Sequence, residues 1–295
     1  MAKYNPSSLE RPASLKEALE TLKRLGSSAR LVAGNTTLYE LSIQGGLEDV
    51  TTLVDVSGLG LSYVRRDDEE NGELRVGAAT TFFEIASSTL TNPAAHYALK
   101  EVSSKITPPQ IRYMGTIGGS ICSGIPFYDM PVVLLALDAK AKVLSTDGER
   151  IVHAKDFFVD YFVTNLSPEE MVVEVQIPEK SNTGTSFVKL GRTSVDFAMV
   201  NCAASLTMDE ESSRITDARI AIGAISNTPV RHDVAEKYLI GKIASNNVFD
   251  KAARMELNVE PASSINASGA YKMNVCPIVE GEALRHALNR VKFAS

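Results

Sequence analysis

The chain has no tryptophan, three cysteines and four histidines in 295 residues. Cys122, Cys202 and Cys276 are far apart, and no pair has the C-x-x-C spacing of a zinc or iron–sulfur site. Cys202 and Cys276 read as buried free thiols. Cys122 directly follows a glycine-rich stretch, which places it near any ligand held there. None of His96, His153, His232 and His286 stands beside a serine or cysteine in a nucleophile motif, and no H-E-x-x-H or carboxylate cluster occurs. No metal site and no catalytic acid–base set is therefore expected on this chain. The longest apolar run, residues 132–137, is far too short to cross a bilayer, which needs about 20 residues. The first fourteen residues are polar and contain no apolar signal core, so a cytoplasmic location is expected. There is no basic block, and the formal net charge of -6 excludes the electrostatic footprint of a nucleic-acid binder.

What is present is ordinary globular material, 44% hydrophobic and 22% charged, enough for about two domains. Two stretches stand out. Ala33, Gly34, Asn35, Thr36 and Thr37 end one apolar run; Thr116, Ile117, Gly118, Gly119 and Ser120 form a second set of the same kind. Small residues let backbone N–H groups approach a phosphate closely, and hydroxyls add donors. Two such loops suggest a ligand with two phosphates, held from both sides. Neither has the G-x-G-x-x-G or G-K-[ST] pattern of the common nucleotide loops. Missing acid–base machinery beside phosphate loops fits a protein whose chemistry belongs to a bound cofactor, and also fits a pure binding module.

Hydrophobic periodicity predicts helices over residues 12–25, 38–43, 80–87, 93–104, 130–137, 234–239, 247–255 and 280–291. Ser14 and Glu17 have capping-box spacing for the first. Strands are predicted at 30–33, 52–56, 141–145, 150–152 and 170–177, with a hairpin of 63–66 and 73–77 joined through a charged turn. Pro108 and Pro109 predict an extended approach to the second loop. Residues 181–185 are polar and mark a candidate domain boundary. Beyond it, strands at 186–190, 199–208 and 215–225 precede the last helices, an α+β arrangement.

Three segments together resemble one family. They are residues 31–38 (LVAGNTTL), 109–120 (PQIRYMGTIGGS) and 126–131 (PFYDMP), with weaker support from 166–172 and 189–192. Their order and spacing are similar to the FAD-binding medium subunit of the molybdenum hydroxylases, the xanthine dehydrogenase, aldehyde oxidoreductase and carbon monoxide dehydrogenase family. The resemblance spans essentially the whole chain. It implies an α+β protein: a two-subdomain FAD-binding fold of the vanillyl-alcohol oxidase (PCMH) type over residues 1–180, divided near 57, then a small antiparallel-sheet-plus-helices domain over 181–295. It also implies roles. Residues 33–37 and 116–120 would hold the FAD diphosphate with amides and hydroxyls. Asp129 would accept from a ribose, and Met171 and Val172 would lie against a ring. Lys189 would sit at the flavin's electron-rich edge, and Phe197 would lie against the flavin. Ser120 stands where an asparagine is common in the family. No cysteine-rich insertion interrupts residues 124–129, so no cluster is expected here.

The resemblance further implies partners: a large molybdopterin subunit and a small subunit with two [2Fe-2S] clusters, in a dimer of heterotrimers. Electrons would pass through FAD to an external acceptor such as NAD+, a quinone or another carrier. A non-catalytic FAD-fold scaffold and a stand-alone FAD oxidoreductase are the alternatives. The substrate belongs to the partner chain.

Overall fold

A computed structural model describes residues 6–43, 47–67 and 72–294. Residues 1–5 of the polar N-terminus, and residues 68–71 of the charged hairpin turn, lie outside the described residues. Three sheets are arranged along the chain. The first is parallel, with Ser8–Glu10 beside Thr52–Asp55 and then Ala29–Val32. The second is antiparallel, in the order Val64–Arg66, Leu74–Gly77, Met171–Ile177, Lys140–Ser145, Gly148–His153. The third is antiparallel and formed by Thr183–Leu190, Val200–Met208, Ile215–Gly223 and Val230–Arg231. A small two-stranded ribbon pairs Phe158–Asp160 with Val163–Thr164.

Packing follows the apolar pattern. All seven residues of Met171–Ile177 are buried, as expected of a central strand covered on both faces. Met171 and Val173 meet the helix Leu15–Leu25 and the parallel sheet, while Val172, Val175 and Ile177 join the largest core. This strand therefore connects two layers. Each buried side chain of this size contributes roughly 1.5–3 kcal/mol relative to exposure.

The third sheet is buried on both faces. Phe187, Ala203 and Ala221 lie directly opposite one another and belong to the core of the preceding segment. Val188, Cys202 and Ile222 point the other way, into a core closed by the long helix Gly269–Ala294. Period-2 alternation thus sends one face to each neighbour. The odd-numbered face carries Lys189, Asn201 and Gly223, again opposite one another, beneath the helix Asp129–Ala136.

Several local expectations need correction. The second glycine stretch is not a loop after a strand. It is the helix Ile117–Cys122, capped by Thr116 and preceded by the helix Pro109–Met114. Pro109 sits at the first helical position, where its missing N–H costs nothing, so the prolines start a helix rather than extend the chain. The last helix begins at Gly269, eleven residues before the expected start, and contains Pro277. Glu17 reaches the N–H of Ala13 rather than that of Ser14, while Ser14 caps the helix through the N–H of Glu17.

Candidate cofactor site

A cleft of about 920 Å³ runs between the parallel sheet and the second sheet, with the third sheet at one end. That volume is at the upper end for small-molecule sites, which span about 300–1,000 Å³. Its lining includes Ala33, Gly34, Asn35, Thr36, Thr37, Thr116, Gly118, Gly119, Ser120, Asp129, Met171, Val172, Lys189 and Phe197. Residues that are remote in sequence are thereby brought to one cavity. Ile117 is the exception. Its side chain is fully buried in the core and does not face the cleft.

The two glycine stretches offer different chemistry. The first follows the strand Ala29–Val32 and turns at Asn35, whose φ of 58° is the left-handed conformation that asparagine tolerates. No protein acceptor is seen among the described residues for the backbone N–H groups of residues 33–37. These amides are free for an anion, at the point where the helix Thr36–Ile43 begins.

The second stretch has already used four of its five amides, those of residues 117–120. Ile117 donates to the Thr80 carbonyl at 3.0 Å and Gly118 to the Ala78 carbonyl at 2.9 Å. Gly119 donates to Thr116 Oγ1 at 3.1 Å, and Ser120 to the Thr116 carbonyl at 3.0 Å. Amide donors were expected from both sides; on this side those of residues 117–120 are bonded within the protein. What it presents is a smooth wall with hydroxyls. A Cβ on Gly118 would lie 2.7 Å from the Ala78 carbonyl oxygen, so that glycine is needed for packing. A Cβ on Gly119 would meet only Thr116 Oγ1, at 3.0 Å, and a longer side chain there would enter the cleft.

Asp129 and Lys189, expected to touch different parts of a ligand, are paired with each other. Lys189 Nζ lies 2.9 Å from Asp129 Oδ2, and both side chains are nearly buried. Asn201 Nδ2 donates to the other carboxylate oxygen, Oδ1, at 2.7 Å. Lys189 is thus a charge already matched within the protein. Sequence reasoning missed Asn201; its only signal was an amide among the small and apolar residues that open the strand Val200–Met208.

Tyr128 was not carried forward as a site residue. Its hydroxyl lies 3.1 Å from Thr37 Oγ1, joining the first loop to the segment that enters the helix Asp129–Ala136. Burial raises the pKa of the phenol, against the opposing effect of the Thr37 bond, so the hydroxyl stays protonated. Phe197 stacks on Tyr128 with ring centroids 5.8 Å apart and tilts against Phe127 at 4.8 Å. This aromatic cluster lines one end of the cleft. Cys122 opens on the cleft although it lies deep within the surrounding protein, and burial pushes its thiol up to about 12.

No histidine lines the cleft, and three of its carboxylates are engaged: Asp129 by Lys189, Glu170 by Arg150 at 2.6 Å, Asp196 by Arg192. No group of three metal-ligating side chains occurs among the described residues. No helix among them is long and apolar enough to cross a membrane.

Comparison with known proteins gives the family. Residues 3–180 match the FAD binding domain in molybdopterin dehydrogenase, and residues 185–287 match the CO dehydrogenase flavoprotein C-terminal domain. The carbon monoxide dehydrogenase medium chain of Afipia carboxidovorans is 32% identical over 96% of this chain and 95% of its own. The 6-hydroxypseudooxynicotine dehydrogenase complex subunit alpha of Paenarthrobacter nicotinovorans is 30% identical over 95% of this chain and 93% of its own. Among solved structures, a Cu,Mo-CO dehydrogenase chain superposes with a TM-score of 0.89 at 31% identity, covering 97% of this chain and 99% of that one. A chain of quinoline 2-oxidoreductase from Pseudomonas putida 86 gives 0.88 at 27% identity, covering 99% of both. With matches along both segments, the chain belongs to the FAD-binding subunits of the molybdenum hydroxylase family.

Proposed function

We propose that this chain binds one FAD in the cleft and serves as the electron-transfer subunit of a molybdopterin-dependent hydroxylase. The observation that carries the reading is the run of unspent amides at residues 33–37 in the same cleft that Gly119 lines without a side chain. A diphosphate needs donors on one side and close backbone approach on the other, and the residues present fit both needs. Thr116 and Ser120 hydroxyls complete the phosphate contacts, Asp129 accepts from a ribose hydroxyl, and Met171 and Val172 supply an apolar wall. Phe197, in its stack with Tyr128, covers the flavin from the third sheet. Lys189 contributes through its pair with Asp129 rather than as an isolated cation. When bound, FAD supplies the exchange between one-electron carriers and a two-electron acceptor.

The division at residues 180 and 181 assigns the FAD-binding part to 1–180, with subdomains meeting near 57, and the smaller α+β domain to 181–295. The partners are a large subunit with molybdopterin and a small one with two [2Fe-2S] clusters, assembled as a dimer of heterotrimers. Electrons arrive from those clusters and leave to an external acceptor such as NAD+ or a quinone. Engagement of Asp129, Glu170 and Asp196 in ion pairs favours a carrier over an oxidoreductase with its own substrate.

Gly119→Leu tests the site. The leucine projects into the cleft without displacing backbone, so the variant should fold and assemble with its partners yet purify without flavin. Wild-type chain should carry FAD. Full FAD occupancy in Gly119→Leu would count against the phosphate assignment. A wild type that takes up no FAD would overturn the reading as a whole.

A further inference from the structure

Asn201 is fully buried, the second residue of the strand Val200–Met208, between Val200 and Cys202. Its carboxamide donates to Asp129 Oδ1 at 2.7 Å, while its own Oδ1 is buried and without a partner. An unpaired buried carbonyl is costly, and a leucine would fill the same space without that cost. The space itself is specially made. Gly223 lies directly opposite Asn201 on the next strand, and a Cβ there would overlap both Asn201 Oδ1 and Val132 Cγ2. Lys189 lies opposite Asn201 on the other side. The third sheet therefore presents a row, Lys189, Asn201, Gly223, that receives the first turn of the helix Asp129–Ala136. Two members bond to the two oxygens of one carboxylate, and the third leaves room for the amide and for the helix.

The geometry points to Asn201 as a positioning residue for the cofactor site: with Lys189, it fixes the Asp129 carboxylate toward the cleft, so the third sheet sets an acceptor that belongs to the FAD-binding segment. This rests on the proposed function, in which Asp129 accepts from a ribose hydroxyl. A carboxylate held at both oxygens before the ligand arrives does not have to be ordered on binding, and that saving appears as affinity. The charged groups around position 201 are Asp129 from the packed helix and Lys189 from the neighbouring strand; Gly223 adds none.

The test uses the full chain and FAD titration, followed by flavin fluorescence between about pH 5 and pH 8. A hydrogen bond to a charged group is lost in Asn201→Leu, so affinity should fall about tenfold or more at every pH. Its melting temperature should match or exceed that of the wild type, because the unpaired carbonyl is gone. In Asn201→Asp a second carboxylate faces Asp129. Binding should be weak at pH 8 and recover toward wild type at pH 5, where a protonated carboxyl can donate to Asp129. Space-filling alone would not give that recovery. Wild-type affinity in Asn201→Leu, or pH-independent binding in Asn201→Asp, overturns the inference. Should the leucine variant not fold, the comparison of two pH values within the aspartate variant decides. A wild type that binds no FAD overturns the proposed function and this inference with it; intact wild-type binding with an unaffected Asn201→Leu overturns this inference alone.

Discussion

Gly34, Gly118 and Gly119 stand in similar sequence surroundings yet meet different neighbours. A Cβ on Gly34 would overlap the Met114 carbonyl, because the first loop packs backbone to backbone against the residue that precedes Gly115. Gly119 faces the cleft instead. Gly34→Ala must therefore move backbone, at a cost of about 1–3 kcal/mol or more. It should lower the melting temperature and weaken FAD binding together, whereas Gly119→Leu should affect binding alone. Thermal melts beside FAD titrations check this, and an unshifted melt for Gly34→Ala would contradict the close approach. The glycines were legible in the sequence because each stands with hydroxyl residues in a short run of small residues, a pattern suited to close backbone approach. What each glycine touches was not, since Met114 and Ala78 are brought there by tertiary packing. The same holds for the Asp129–Lys189 pair, whose partners are 60 residues apart.

At the level of elements, the strands were legible wherever alternation or a continuous apolar run was long, as in Met171–Ile177 and Val200–Met208. Several helices were not, Pro109–Met114 among them, since its prolines read as an extended approach. Ile117–Cys122 is built from residues with poor helix propensity, and its start is fixed by the Thr116 cap and by the Ala78 and Thr80 carbonyls. The first turns of Gly269–Ala294 are masked by Pro277, which breaks an isolated helix but is tolerated where the helix lies along a sheet. That helix also carries Glu280, fully buried, whose Oε2 lies 2.9 Å from Nδ1 of His232 at the start of the helix Asp233–Leu239. Burial opposes a charged imidazole, but the Glu280 hydrogen bond and charge outweigh it and raise the His232 pKa above 6.5. A raised histidine stabilises most fully below its unfolded value, about 6.5, and loses that contribution as pH climbs through its folded value. Wild type should thus lose several degrees of melting temperature, relative to His232→Gln, as pH rises from 6 into the alkaline range. Parallel curves for the two proteins would show that the pair does not couple these helices.

The whole molecule is tied across the boundary between its two family segments. Glu101, in the helix Tyr97–Lys105, accepts from the Phe187 N–H at 2.9 Å and pairs with Arg290 of the last helix at 2.8 Å. Asp138 pairs with Arg219, with Arg231 at 3.2 Å and with Lys180 at 3.9 Å. Burial acts to raise the Glu101 pKa, but the Arg290 and Phe187 bonds prevail and hold it below 4.5. Its contribution is therefore present above about pH 4.5 and is lost as acid takes the pH through the depressed value. Glu101→Ala leaves Arg290 without its carboxylate and should cost about 3 kcal/mol, or roughly 6 °C or more in melting temperature. Calorimetry should still show one transition, since the third sheet shares a core with both neighbours. Two separated transitions in the wild type would refute that unity.

The row of Lys189, Asn201 and Gly223 beneath Asp129 also bears on how such a chain can diverge. Position 223 can gain a side chain only where position 201 has become smaller and the helix above has shifted away from Val132. Loss of the acid at 129 would strand an ammonium and an amide, so 189 and 201 would be released with it. These four positions are physically interdependent across the segment boundary, and their substitutions should appear together in relatives, leaving neighbouring core positions free to drift singly.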